Sequence, residues 1–127
     1  FAKTIHNGIE YGMMQAIAEG FSLLSKYKLD LKKVAQTYNH GSVVESRLIG
    51  WLEKALDIHG EILNGVRGSV AYTGVGVWTL KTAKELDLKA KVIEEALKFR
   101  IQSRNHPSYQ GKILSALREQ FGGHSIK

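Results

Sequence analysis

The chain has no cysteine and a single proline among its 127 residues. Without thiols there is no disulfide framework and no thiolate metal site, which fits a reducing compartment. No apolar run approaches the roughly 20 residues that a membrane span needs. The N-terminus lacks the charged start and apolar core of a signal peptide. Period-two alternation is missing as well, so no strand is expected. An initiator methionine is also lacking and the chain opens inside an apparent helix, from which we expect a piece of a longer protein.

What remains is the composition of an ordinary globular domain, 43% hydrophobic and 24% charged, with length enough for one core. A net charge of +6 raises the question of nucleic acid. The basic residues are scattered, however, with their densest groups in "LDLKKV" and "LDLKAKV", and no basic run alternates with aromatics. A solvated basic surface, or one built for anionic metabolites, fits that pattern better than a nucleic-acid footprint.

Apolar spacing is helical nearly throughout, and the expected fold is all-α, one domain over 1–127 with no sheet. Ile5, Ile9, Met13, Ile17, Phe21 and Leu24 trace the stripe of a long first helix that runs to about Lys26. A second helix is expected from Asp30 to Gly41, and a third after Ser42 as N-cap. The glycine-rich segment "GEILNGVRGSVAYTGVGVW" reads as mostly loop with room for one short helix, and Trp78–Thr79 opens the next helix. "KAKVIEEALKFRIQSR" and "PSYQGKILSALREQF" supply the last two, with Pro107 near the final helix's first turn and Gly122–Gly123 past its end.

The opening "AKTIHNGIEYGMMQ" sets titratable groups where a hydrophobic stripe is usual. On a helix Lys3, Asn7, Glu10 and Met14 share one face. Lys3 and Glu10 are two turns apart, too far for a one-turn ion pair, but spaced to flank a small molecule as base and acid. His6 and Tyr11 stand beside that face. Gly8 and Gly12 would let a ligand or another backbone approach. A partly exposed helix that tolerates two glycines explains the spacing equally well.

The particular residues add more. "KTIHNGIEYGMMQAIAEGF" resembles the lysine helix of the 6-phosphogluconate dehydrogenases, with its pattern K-x-x-H-N-G-I-E-Y-G. "YNHGSVVESRLI" is similar to the family's W-N-x-G segment, with Tyr38 for the tryptophan, and "TGVGVWT" to its G-x-G-x-W-T loop. "ALKFRIQS" matches an arginine-bearing helix and "LREQFGGH" the closing R-x-x-F-G-x-H. The order is kept along essentially the whole chain, and the match is closest to the short form with one helical repeat.

The resemblance implies the C-terminal helical domain of an enzyme that converts 6-phosphogluconate to ribulose 5-phosphate and CO2. NAD or NADP would be bound mainly by an N-terminal Rossmann domain preceding Phe1, since no glycine-rich dinucleotide fingerprint occurs here. By the same resemblance Lys3 is the general base and Glu10 the acid. His6, Asn7 and Tyr11 hydrogen-bond the substrate, and Asn7 also faces the cofactor. Thr73 and Arg100 lie at the phosphate, and Arg118 and His124 are tail residues that in long-form dimers reach into the partner's active site. A homodimer or higher homo-oligomer with shared sites follows, although the short form could place the tail in its own chain. No metal, nucleic acid or membrane is implied, and the location is cytoplasmic.

Departures from the long form concern the phosphate subsite. Thr73 stands for a lysine and Val75 for a threonine; elsewhere Met13 replaces an aspartate, and Lys89 and Lys91 replace prolines. Thr73 retains a hydroxyl, whereas Val75 does not. His40, His59 and His106 show no metal-ligand spacing. Two rival readings remain: another β-hydroxyacid dehydrogenase, and a helical interaction or nucleic-acid-binding module.

Overall fold

Asp30, Ser46 and Ser108 each start a helix in the same way. With extended backbone, each side-chain oxygen accepts from the N–H three residues on, at 3.1–3.2 Å. Such caps contribute about 1 kcal/mol apiece. The computed structural model describes residues 1–127 as six helices and no strand: α1 Ala2–Leu24, α2 Leu31–Tyr38, α3 Arg47–His59, α4 Gly74–Glu85, α5 Lys91–Ser103 and α6 Tyr109–Gly122. The expectation of an all-α fold opening on a long helix is met.

Two starts differ from expectation. α3 is capped by Ser46, not Ser42. Ser42 instead donates its hydroxyl to the Tyr38 carbonyl and accepts from Val44 N–H at 3.3 Å, so it closes a turn. α4 begins four residues before Trp78, at Gly74. Its first turn, Gly-Val-Gly-Val, has poor helix propensity. Packing overrides this: a Cβ on Gly76 would lie 2.8 Å from the Tyr11 ring, so only glycine lets α4 approach α1 there.

α1 and α6 form the centre. α1 packs on α4, α5 and α6, while α3 packs on α2 and α6. The core gathers Met14, Ala18 and Phe21 of α1 with Leu31 and Ala35 of α2, Ile49, Leu52 and Leu56 of α3, and Ile113, Leu114 and Leu117 of α6. The stripe expected on α1 is therefore only partly the buried one. Phe21 is buried, but Ile9 and Met13 are 53% and 45% exposed, and Tyr11 and Met14 take the inner side. The cause is the glycine pair. Gly8 faces Thr79 of α4 and Gly12 faces Val92 of α5, which rotates α1 toward those helices. For the same reason the core side and the candidate catalytic face overlap, since Met14 belongs to both.

Residues 60–73 contain no helix, yet they are tied down. Leu63, Val66 and Val70 are buried in the core. Leu63 takes φ 52°, a left-handed conformation costing about 1–2 kcal/mol, and its complete burial offsets that. Ser103 accepts from the Val70 N–H at 2.8 Å, and Ser115 donates to the Ser69 carbonyl at 2.9 Å. This segment delivers Thr73 to the start of α4.

Candidate active site

Tyr11 ties three elements together. Its hydroxyl accepts from the Thr73 N–H at 3.0 Å, at the head of α4. Its ring carries the Arg100 guanidinium of α5, with Cζ 3.7 Å from the centroid. Such a cation–π contact is worth about 2 kcal/mol when desolvated. Arg100 is 3% exposed and donates to the Ala71 carbonyl at 3.4 Å and to Met14 Sδ at 3.6 Å.

Around this pair lies a cleft of about 200 Å³ lined by Asn7, Glu10, Tyr11, Met14, Thr73, Arg100, Arg118, Phe121 and His124. Arg118, on α6, is 7% exposed. Neither arginine joins an ion pair. Two buried guanidiniums without a carboxylate partner are costly unless an anion meets them. Burial pushes Arg100 down to about 10, with the neighbouring Arg118 charge adding to it and Tyr11 and Glu10 opposing. Burial lowers Arg118 as well. His124 is held below the ordinary histidine value by desolvation and then by Arg118 and Arg100, although the residue as a whole is exposed. The head of α4 faces the same space through Thr73. That residue is the N-cap, and its side chain makes no capping bond. Helix N-termini of this kind attract anions.

Of the residues expected at a site, Asn7, Glu10, Tyr11, Thr73, Arg100, Arg118 and His124 converge here. Lys3 and His6 do not line the cleft. Lys3 is exposed on the first turn of α1, about 10 Å along the axis from Glu10 at 1.5 Å per residue. His6 is exposed, contacts Asn7 Oδ1 at 3.2 Å and stands 3.8 Å from Glu10, on the side of a second, apolar groove with Ile9, Met13 and Trp51. Arg118 and His124 line the cleft of their own chain, one of the two placements left open for the short form. α6 packs directly along α1, which brings its C-terminal end beside Asn7, Glu10 and Tyr11. Phe121 also lines the cleft, and its position one turn after Arg118 on α6 is the sequence signal for it. Nowhere do three His, Asp or Glu side chains converge as a metal-ligand cluster, and no helix is long and apolar enough to cross a membrane. The chain contains no strand and therefore not the strand and glycine-rich turn of a dinucleotide cradle.

The fold and cleft define an all-α domain whose cleft gathers two buried guanidiniums, a carboxylate and a side-chain amide. Residues 1–112 match the family model for the 6-phosphogluconate dehydrogenase C-terminal domain, and the chain belongs to that family. It is 44% identical over 129 residues to the Bacillus subtilis (strain 168) protein named "Putative 6-phosphogluconate dehydrogenase YqeC", covering 100% of this chain and 43% of that protein. It is 38% identical over 128 residues to the NAD(+)-dependent, decarboxylating 6-phosphogluconate dehydrogenase of Haloferax volcanii, covering 99% and 43%. A Caenorhabditis elegans decarboxylating 6-phosphogluconate dehydrogenase is 41% identical over 105 residues, covering 76% and 22%. The chain thus spans less than half the length of these relatives.

Proposed function

We propose that this chain is the substrate-binding and acid–base part of an NAD(P)-dependent enzyme that oxidatively decarboxylates 6-phosphogluconate to ribulose 5-phosphate and CO2. The observation that carries the reading is the pair of buried arginines without ion-pair partners, Arg100 and Arg118, lining a cleft that also holds Glu10. The arginines, Tyr11 and Thr73 bind the phosphate end of the substrate. Asn7 holds the sugar hydroxyls or carboxylate near the first turns of α1, with the His6 ring behind it in contact with its Oδ1, and His124 adds a donor to the same cleft.

Lys3 takes the proton of the 3-hydroxyl as hydride leaves C3, then returns it to the forming carbonyl oxygen so that the C1 carboxylate departs as CO2. Glu10 protonates the resulting enediol at carbon while Lys3 takes back the proton of the C3 hydroxyl, leaving the ketone of ribulose 5-phosphate. The nicotinamide, when bound, supplies the hydride acceptor, and Asn7 is the residue of this chain that would face it. Lys3 is solvent-exposed in the chain by itself. Its use as a base therefore depends on a second domain closing over the first turn of α1 and excluding water.

A homo-oligomer built on the helical domain belongs to the same reading, supported by the exposed Ile9 and Met13 beside Trp51. The test is an assay of the complete enzyme with 6-phosphogluconate and each nicotinamide cofactor, with release of ribulose 5-phosphate and CO2 as readout. Turnover of unphosphorylated β-hydroxyacids alone would favour the wider β-hydroxyacid dehydrogenase group instead. Light scattering of the 127-residue chain tests assembly, and a monomer would remove that part.

A further inference from the structure

We propose that the segment from Gly122 to Ile126 is a latch, in which Ile126 and the Arg67 backbone are positioning elements that seat the His124 imidazole in the cleft.

The segment is fixed at both ends. At one end Gly123 adopts φ 63°, the left-handed conformation that ends α6, and its N–H bonds the Glu119 carbonyl at 2.9 Å. At the other end the Arg67 N–H donates to the Ile126 carbonyl at 2.6 Å. The Ile126 side chain packs against the main core, in which Val66, next to Arg67, is buried. Between these anchors the His124 ring folds back over Gly122. A Cβ there would lie 2.5 Å from His124 Cδ2 and 2.6 Å from Nε2. Only three residues separate Gly122 from Ile126, so backbone bonds on either side set where the ring sits. The groups facing it in the cleft are Arg100, Arg118, Glu10 and Tyr11. Desolvation and the two arginines hold its proton affinity down, which gives the seated ring a signature of its own. The role assigned to His124 rests on the sugar-phosphate reading of the cleft, whereas the latch rests on the contacts just given.

The test uses the isotope-labelled 127-residue chain and three variants, Ile126→Ser, Ile126→Val and Gly122→Ala. NMR reports the His124 imidazole titration and the backbone order of residues 123–126, and inorganic phosphate is the probe of the cleft. In the parent chain His124 should titrate below its ordinary value, with backbone as ordered as α6. Ile126→Ser should return the titration to the ordinary value, loosen residues 123–126 and weaken phosphate several-fold, while the chain stays folded with its Tyr11 and Arg100 signals in place. Ile126→Val should keep the parent behaviour. Gly122→Ala should displace the ring alone, shifting its titration while residues 125–126 stay ordered. An unchanged His124 in both Ile126→Ser and Gly122→Ala would overturn the latch. Phosphate failing to bind the parent chain would instead count against the sugar-phosphate reading, leaving the order measurements to judge the latch.

Discussion

The Arg100 guanidinium sits over the Tyr11 ring, 3.7 Å from its centroid, while the Tyr11 hydroxyl holds the Thr73 N–H. One side chain of α1 thereby fixes a cation on α5 and the start of α4. The two functions separate by mutation. Tyr11→Phe keeps the ring and strands one backbone donor, at a cost of about 1 kcal/mol in urea unfolding. Tyr11→Leu also removes the face on which Arg100 rests. It should lower phosphate affinity well beyond the Phe variant; equal affinities would mean the stacking does not organise Arg100.

Arg100→Ala in the complete enzyme should weaken 6-phosphogluconate about ten- to a hundredfold, the value of a charge-assisted contact of about 1.5–3 kcal/mol. The unphosphorylated sugar acid should be hardly affected. Arg100→Lys should not restore binding, because an ammonium cannot reproduce the stacked, forked geometry. Comparable losses for both substrates would place Arg100 elsewhere in the mechanism.

Lys3→Met should cost the complete enzyme at least about 10²–10⁴ in kcat, the usual contribution of a general base. Lys3 is exposed, so stability should move by no more than about 0.5 kcal/mol. Glu10→Gln should slow release of ribulose 5-phosphate by removing the proton donor. Near-parental kcat in either variant would remove that residue from the chemistry.

Gly8→Ala should destabilise the chain even though alanine is the better helix former by about 1 kcal/mol. The new methyl would lie 2.6 Å from Thr79 Cγ2. Thr79 cannot easily turn away, because its hydroxyl bonds the Thr4 and Val75 carbonyls at 3.0 and 3.1 Å. Overpacking of this kind costs about 1–3 kcal/mol. Thr79→Ser deletes the clashing methyl and keeps the hydroxyl, so the double variant should recover most of the loss in thermal unfolding. No recovery would mean that α1 and α4 are held apart by something else.

The folded chain binds a proton at His124 less readily than the unfolded chain does. Below the ordinary histidine pKa of about 6.5 the unfolded state therefore takes up protons first, and stability falls with decreasing pH through that window. His124→Gln should flatten this part of the stability–pH curve by a small amount, since the residue is exposed. Bound phosphate should raise the His124 pKa, seen directly by NMR. A histidine that titrates identically with and without phosphate would lie outside the anion's field.

Local chemistry written in the sequence was enough for much of this molecule. Helical spacing gave six helices and no strand, Asp30 marked its helix start, and the order of residues from Lys3 to Tyr11 marked the family. These features depend on neighbours three or four positions away, which is the range a sequence pattern reports. Ser42 and Ser46 are equivalent N-caps by type; the choice fell to Ser46 once Ser42 was drawn into the turn after α2 and Asn39 Oδ1 accepted the Ser46 N–H at 3.0 Å. The start of α4 ran against its own propensity, because contact with Tyr11 and Gly8 outweighs two glycines. The exposed side of α1 was settled by α4 and α5 closing on Gly8 and Gly12. The same packing decided the cleft: Arg100 and Arg118 are ordinary helix cations in sequence, and only the approach of α5 and α6 to α1 buries both beside Glu10 and leaves them unpaired.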